Sequence, residues 1–331
     1  MLSEILNKLS EGDVTDPTVL RFLNAPTEEE VRKFNRALNS VKEFTHKSNH
    51  VCAHGKCRVK SCDSHEISKS TLQEHLADYA GLVSWLIPDY KNNSFSYVLR
   101  RSNVKGATTF SGYCSDHDAQ LFSSIDNSDP AIDYNFVCRQ ALRVIRKEIA
   151  IEVSVLMSLK VVLAALREIP RAEEAIKRLK NHLSSTSNQI VRHRKAYRKL
   201  WRGMESDKPF ICYKTFALPA EGLAFSSLFS PYRYCVESGL NCLEVFFVFI
   251  VPGVKFNTLI LASFDDEASR KFLSDHLEGG GFNRAYVNQM ISMNKERLVF
   301  SDDYIGSLND LSLKSLLKNN LFTGDEHPFL M

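Results

Sequence analysis

The apolar positions of this chain change period several times, and each change marks a different kind of element. Near the N-terminus Val31, Phe34, Leu38 and Val41 recur at helical spacing to about Phe44. Thr27-Glu28-Glu29-Glu30, just after Pro26, is a capping-box pattern with acids in the first turn, where the helix dipole favours them. A short helix carrying Leu72, Leu76 and Tyr79 is expected after Ser68. From Gly81 the pattern turns to β. A strand to Tyr90, a turn at Lys91-Asn92-Asn93 and the alternation Phe95–Leu99 predict a hairpin, and Ala107–Phe110 follows it.

Residues 134–202 change character, with no glycine and a single proline, Pro170. Leu142, Ile145, Ile149 and Val153 fit one helical face, and Leu156, Leu159, Val162, Leu163 and Leu166 continue it. A second long helix from Arg171 to Trp201 would run antiparallel to the first if the turn at Ile169-Pro170 is tight. Beyond residue 208, Phe210–Leu218, Leu243–Val251 and Thr258–Phe264 are apolar and β-rich. Asp265-Asp-Glu267 opens a helix to Leu277, Gly279-Gly-Gly281 reads as a loop, and helical patterns recur around Ala285–Met293 and Ser307–Leu317. The expected class is α+β in four parts: an N-terminal helical segment (1–50), a Cys/His-rich module (51–133), a long antiparallel helical hairpin (134–205) and a C-terminal α+β domain (206–331). There is no internal repeat, P-loop, dinucleotide fingerprint or Gly-x-Ser-x-Gly elbow.

Composition changes this picture little. A chain 44% hydrophobic and 24% charged is ordinary for a globular protein, and a net charge of +3 announces no partner. Its distribution is more informative. Cys138 to Arg202 holds sixteen Lys and Arg against five Glu, so the rest of the chain is net acidic. Met1-Leu-Ser-Glu lacks the start of a signal peptide, and the apolar run Leu243–Val254 contains Glu244 and Pro252 and is too short to span a bilayer. The expectation is a cytoplasmic protein with no membrane partner, in which close-spaced cysteines read as metal ligands before disulfides.

Those cysteines are concentrated. Four of the eight, with three of the ten histidines, lie in Cys52-Ala-His-Gly-Lys-Cys57-Arg-Val-Lys-Ser-Cys62-Asp-Ser-His65 and Gly112-Tyr-Cys114-Ser-Asp-His117-Asp118. Structural zinc sites commonly join two such pairs from distant parts of a chain. Cys114-x-x-His117 has the spacing that puts two ligands on the first turn of a helix. Cys52-x4-Cys57 is the preferred partner pair because Gly55 permits a tight knuckle. Cys57-x4-Cys62 competes with it, and His54 can replace a cysteine. The predicted ligands of a structural zinc are thus Cys52, Cys57, Cys114 and His117. Cys138, Cys212, Cys235 and Cys242 each lie alone in an apolar pattern and read as small buried hydrophobes.

A zinc knuckle, a Ser/Asp-His-x-Ile segment and a Cys-x-x-(Cys/His) helix start together resemble the HNH (ββα-metal) endonuclease module, a treble-clef-like finger. Ser64-His65-Glu-Ile-Ser-Lys-Ser70, with Thr109-Phe-Ser-Gly-Tyr-Cys-Ser-Asp-His-Asp118 and Leu121-Phe122, is similar to bacterial HNH-like proteins of the kind found among anti-phage or mobile-element genes. The resemblance covers about residues 50–125, with a fainter echo in Glu296–Asp303. It implies that His65 is the general base and that Asp118 holds a second, catalytic Mg²⁺ or Mn²⁺ against the scissile phosphate. Ser64 stands where that family's metal-binding aspartate is expected, with Asp63 one residue early. The Leu82–Leu99 hairpin would be an insertion. A third reading makes His65 a zinc ligand through Cys62-x-x-His65.

Lys195, Arg198, Lys199 and Arg202 lie at i, i+3, i+4 and i+7 and share one helical face. Arg192 and Arg194 extend it, with Tyr197 and Trp201 read as interleaved aromatic surface. Such a stripe can bind phosphates by releasing condensed counterions. Two functions follow as expectations. One is a zinc-stapled, HNH-like nucleic-acid-binding protein that cuts DNA or RNA by metal-assisted hydrolysis. The other is a non-catalytic zinc-binding assembly protein with the treble clef as scaffold, joined to a protein partner or a second copy through the helical hairpin.

Overall fold

The computed structural model describes residues 27–30, 32, 36, 51–91, 94–166, 172–206, 208–229, 245–275 and 283–317. The N-terminal apolar repeat to Phe44, the hairpin tip Asn92-Asn93, Pro170, Cys235, Cys242 and Gly279-Gly-Gly281 lie outside these residues. The capping box does not: Thr27 Oγ1 accepts from the Glu30 amide at 3.3 Å, and the Thr27 amide donates to Glu30 Oε2 at 2.6 Å.

The elements in chain order are β1 (Asp63–His65), α1 (Lys69–His75), β2 (Leu82–Lys91), β3 (Ser94–Asn103), β4 (Thr109–Ser111), α2 (Ser115–Phe122), α3 (Tyr134–Leu166) and α4 (Glu173–Met204). Then come β5 (Ile211–Leu218), β6 (Leu223–Phe229), β7 (Phe246–Val251), β8 (Asn257–Phe264), α5 (Glu267–Asp275), α6 (Arg284–Met293), a 3-10 turn, β9 (Leu298–Phe300), α7 (Asp302–Ser307) and α8 (Asp310–Leu317). Side-chain caps set several boundaries. Ser68 Oγ accepts from the Thr71 amide, Asp133 Oδ1 from Phe136, Asn283 Oδ1 from Tyr286 and Ser301 Oγ from Tyr304. Predicted helices and strands recur here with ends shifted by a few residues.

Seven strands form one antiparallel sheet in the order β3-β2-β9-β6-β7-β8-β5. The β2/β3 hairpin, expected inside the Cys/His module, is therefore an edge of the same sheet as the C-terminal strands. β9 makes the join: Phe300 pairs with Ser84 on one side and Leu223 on the other. Both faces of the sheet are covered, which is why β7 reads as a continuous apolar run rather than an alternating one. Phe246, Val248 and Ile250 meet Phe272, Leu273, Val287, Met290 and Ile291 of α5 and α6. Phe247 and Phe249 meet the first half of α3 (Val137, Leu142, Ile145), the end of α4 (Ala196, Leu200) and Leu121 and Phe122 of α2.

The chain divides into two compact units, residues 52–147 with 195–331, and residues 1–51 with 148–194. The first holds the sheet and the Cys/His segments. In the second, His193 Nδ1 lies 2.9 Å from Glu152 Oε2, and both side chains are nearly buried. No helix among the described residues is long and apolar enough to cross a membrane.

Candidate metal centre and the basic helix

The two Cys/His segments are joined by backbone hydrogen bonds before any ligand is considered. β1 pairs antiparallel with β4, Asp63 opposite Ser111 and His65 opposite Thr109. Ahead of that ladder the Ala53 amide donates to the Gly112 carbonyl at 3.1 Å, and Cys62 N to Tyr113 O at 2.7 Å. The knuckle itself closes through Cys57 N to His54 O, with Gly55 at φ +47°. That is the left-handed conformation glycine adopts without a Cβ penalty. Gly112 serves by its small size: a Cβ there would come within 2.6 Å of the Phe110 ring and 3.1 Å of Ser64 Oγ.

This framework brings Cys52, Cys57, Cys114 and His117 together, their four ligand atoms all within 4.8 Å of one another. His117 Nδ1 lies 3.1 Å from Cys114 Sγ and 3.5 Å from Cys52 Sγ. Zinc bonds of about 2.0–2.3 Å require ligand–ligand edges of roughly 3.5 Å, a value these separations bracket, so the group is of the right size for one ion. Cys114 occupies the N-cap of α2, and His117 follows within the first turn. The backbone hydrogen bond from His117, then the side-chain bond from the same residue, lower the Cys114 thiol to about 7 against the opposing effect of desolvation. A thiolate at a helix N-terminus is the form a metal binds. Burial pushes the Cys52 thiol up.

The competing ligand sets are not assembled. Cys62 lies outside the group; burial raises its thiol, and Ser64 is its side-chain hydrogen-bond partner. His54 is a neighbour of the centre, its ring stacked on that of His117 at 3.8 Å with 13° between planes. His65 turns to the Val104 carbonyl, 3.3 Å from its Nε2. A carbonyl only accepts, so Nε2 donates and the neutral ring keeps its lone pair on Nδ1. Burial holds His65 below its ordinary value, partly offset by the backbone bond to Val104.

Ser64 and Asp118 sit on the inner side of β1. Ser64 is fully buried, its Oγ accepting from the Tyr113 amide at 3.4 Å and bonding the Asp118 side chain. Burial raises Asp118, the Ser64 bond and the Arg143 guanidinium oppose this, and its Oδ1 is buried with no partner. Asp118 and His65 feel each other's charge, but among the described residues no hydrogen bond joins them. Asp63 is exposed on the outer side of the strand.

Beneath this pair lies a polar layer that periodicity alone did not reveal. Gln140, Arg143 and Lys147 lie along α3 at i, i+3 and i+7 and are all buried. Gln140 donates to the Glu66 carbonyl and to Ser226 Oγ. Arg143 makes a bidentate pair with Asp126 at 2.7 and 2.9 Å and lies 4.1 Å over the Phe122 ring. Lys147 pairs with Glu66, which has no exposed surface. Arg139, Arg146 and Glu148 are interspersed with them, so helical spacing alone did not single out the buried three.

The end of α4 separates cleanly into two faces. Lys195, Arg198, Lys199 and Arg202 are exposed, while Ala196 and Leu200 are buried and Tyr197 and Trp201 half-buried. The aromatic residues do not interleave with the basic ones. At 3.6 residues per turn they project from the opposite side. The Tyr197 hydroxyl lies 3.0 Å from that of Tyr113, and Trp201 meets His54 edge-on at 5.0 Å. Lys199 is partly engaged, 3.9 Å from Asp266 and 4.1 Å over the Phe264 ring. No protein-family model matches the chain, and neither does any curated protein or solved structure, so the likeness to the HNH module rests on the motif residues themselves.

Proposed function

We propose that the chain is a zinc-stapled nucleic-acid-binding protein. Cys52, Cys57, Cys114 and His117 hold a structural zinc, and Lys195, Arg198, Lys199 and Arg202 grip the phosphate backbone. The observation that carries the reading is the joint geometry of one compact unit. Three sulfurs and an imidazole nitrogen converge within 4.8 Å, and four cations lie exposed on the outer face of a helix whose inner face packs beside them. Three soft sulfurs and one imidazole suit zinc far better than magnesium or calcium. The test is fluorescence anisotropy with labelled DNA and RNA oligonucleotides over a salt series. The wild type should bind with log K falling linearly against log salt, and Lys195→Glu/Arg198→Glu/Arg202→Glu should abolish binding. Unchanged binding by the triple variant would remove the helix from the account.

A second reading, metal-assisted phosphodiester hydrolysis in the HNH manner, is favoured by one observation. Asp118 presents a buried, unpartnered carboxylate oxygen, an arrangement suited to a hard divalent cation, near a histidine held neutral. Here His65 would be the general base and Asp118 a ligand of Mg²⁺ or Mn²⁺. Cleavage assays with divalent metal on wild type, His65→Ala and Asp118→Ala decide it. Equal rates in all three would remove His65 and Asp118 from the chemistry, and no cleavage by any of them would leave a non-catalytic scaffold, the assembly function that Ser64 in the aspartate position also fits.

A further inference from the structure

The inner face of α4 touches neighbours of the metal-binding residues at two points. At the first, the Tyr113 hydroxyl, one residue before the ligand Cys114, meets the Tyr197 hydroxyl at 3.0 Å. At the second, the ligand His117 is stacked on His54 at 3.8 Å, and His54 meets Trp201 edge-on at 5.0 Å. Trp201 is held in turn by Tyr197, stacked at 6.2 Å, and by its indole N–H, which donates to Glu205 at 2.9 Å. Beyond Trp201 the helix passes close to the start of β5: a Cβ on Gly203 would lie 2.3 Å from the Phe210 ring. Rings within van der Waals distance thus run unbroken from a metal ligand to the back of the helix that carries Lys195, Arg198, Lys199 and Arg202.

We propose that His54 and Trp201 are positioning residues that couple the metal centre to the basic face of α4, so that metal occupancy sets the affinity of that face for nucleic-acid phosphates. The proposal rests on the nucleic-acid reading above. With metal bound, the His117 imidazole is fixed by a coordinate bond, His54 has a rigid plane to stack on, and Trp201 a rigid edge. Without it, three thiols and an imidazole have no cross-link, because a site of this kind is assembled by its ion. The ring stack then loses its anchor, and the four charges are presented over a wider range of helix positions. Linkage makes the effect reciprocal: nucleic acid must tighten metal binding by the factor by which metal tightens nucleic-acid binding.

The experiment uses the full chain, zinc-loaded and chelator-stripped, with a labelled single-stranded DNA oligonucleotide at fixed salt and circular dichroism to verify that the sheet persists. Stripping should weaken wild-type binding roughly five- to tenfold, within the usual range of coupling between sites. His54→Ala/Trp201→Leu, with all four ligands and all four basic residues intact, should still bind one zinc but with an oligonucleotide affinity that no longer depends on it. His54→Gln alone should lose part of the dependence. A second readout needs no nucleic acid. The chain has two tryptophans, Trp85 and Trp201, so in a Trp85→Phe background zinc removal should shift the Trp201 emission. The coupling is overturned if wild-type binding is the same with and without zinc, if the double variant keeps the full dependence, or if Trp201 emission ignores the metal. Absence of oligonucleotide binding by the zinc-loaded wild type would instead defeat the nucleic-acid reading, and the coupling with it.

Discussion

The centre of the sheet and the Cys/His segments solve the same problem by opposite means. β7 and β8 bury almost every side chain, with Phe246 to Ile250 and Leu259 to Ala262 nine-tenths or more out of solvent on both faces. Their order follows from the apolar surface they remove from water. The segments around β1, β4 and α2 have strands of three residues and a helix of eight, and around the ligands many positions are exposed. Elements that short cannot stabilise themselves by burial, and small modules of this kind commonly rely on a metal. One compact unit thus holds a sheet ordered by burial beside short elements that lack that support and carry four closely grouped metal-ligating atoms. The inner face of α4, opposite the basic one, is packed against both.

Removing one ligand should separate the two regions most strongly. Cys114→Ser should take bound zinc from about one per chain to near zero, removing a binding free energy on the order of 10 kcal/mol from the local fold. Hydrogen exchange should then show the amides of Ala53, Cys57 and Cys62 losing protection while β7 and β8 stay protected. Loss of protection across the whole sheet would show that the two regions are one cooperative unit.

The complementary change is Phe247→Ala in the sheet core. It should cost about 3–5 kcal/mol in chemical denaturation and leave zinc stoichiometry at one. Lys147→Met probes the polar layer between the regions. It strands the Glu66 carboxylate in a site with no solvent, at a cost of about 3–5 kcal/mol, and adding Glu66→Gln should recover most of the loss. A double variant as unstable as the single one would mean that Lys147 acts through packing.

What the sequence disclosed divides along the same line. The hairpin, the long helices and the four ligands rest on local spacing: two-residue alternation, 3.6-residue periodicity, Cys-x4-Cys and Cys-x-x-His. β6 and β9 were not anticipated. In β6, Ser226 and Ser227 interrupt the apolar run yet are buried, and Ser226 is satisfied by Gln140, 86 residues away. β9 is three residues long, and its partners, Ser84 and Leu223, cannot be read from its own neighbourhood. Arg143 and Lys147 looked like members of a basic surplus because Asp126 and Glu66, which neutralise them, lie on other elements. The inward side of Tyr197 and Trp201, by contrast, was legible from helical geometry.

Arg198→Ala should weaken oligonucleotide binding similarly for every sequence and reduce the magnitude of the log K–log salt slope by about 1. A sequence-dependent loss would assign Arg198 to base contacts. The smallest expected effect concerns acid stability. Because burial holds the folded-state value of His65 below 6.5, protonation favours the unfolded chain. Its contribution is complete above pH 6.5 and is lost as pH falls below that value. His65→Gln should flatten the fall in melting temperature below pH 6.5 and leave the plateau above it in place.

Whether three sulfurs and one nitrogen of this chain surround a single zinc can be read from X-ray absorption at the zinc edge. The expected spectrum shows one zinc per chain with three sulfur neighbours at about 2.3 Å and one nitrogen at about 2.0 Å. In His117→Cys the nitrogen should be replaced by a fourth sulfur. A shell dominated by oxygen or nitrogen, or a well-folded chain that takes up no zinc, would contradict that coordination.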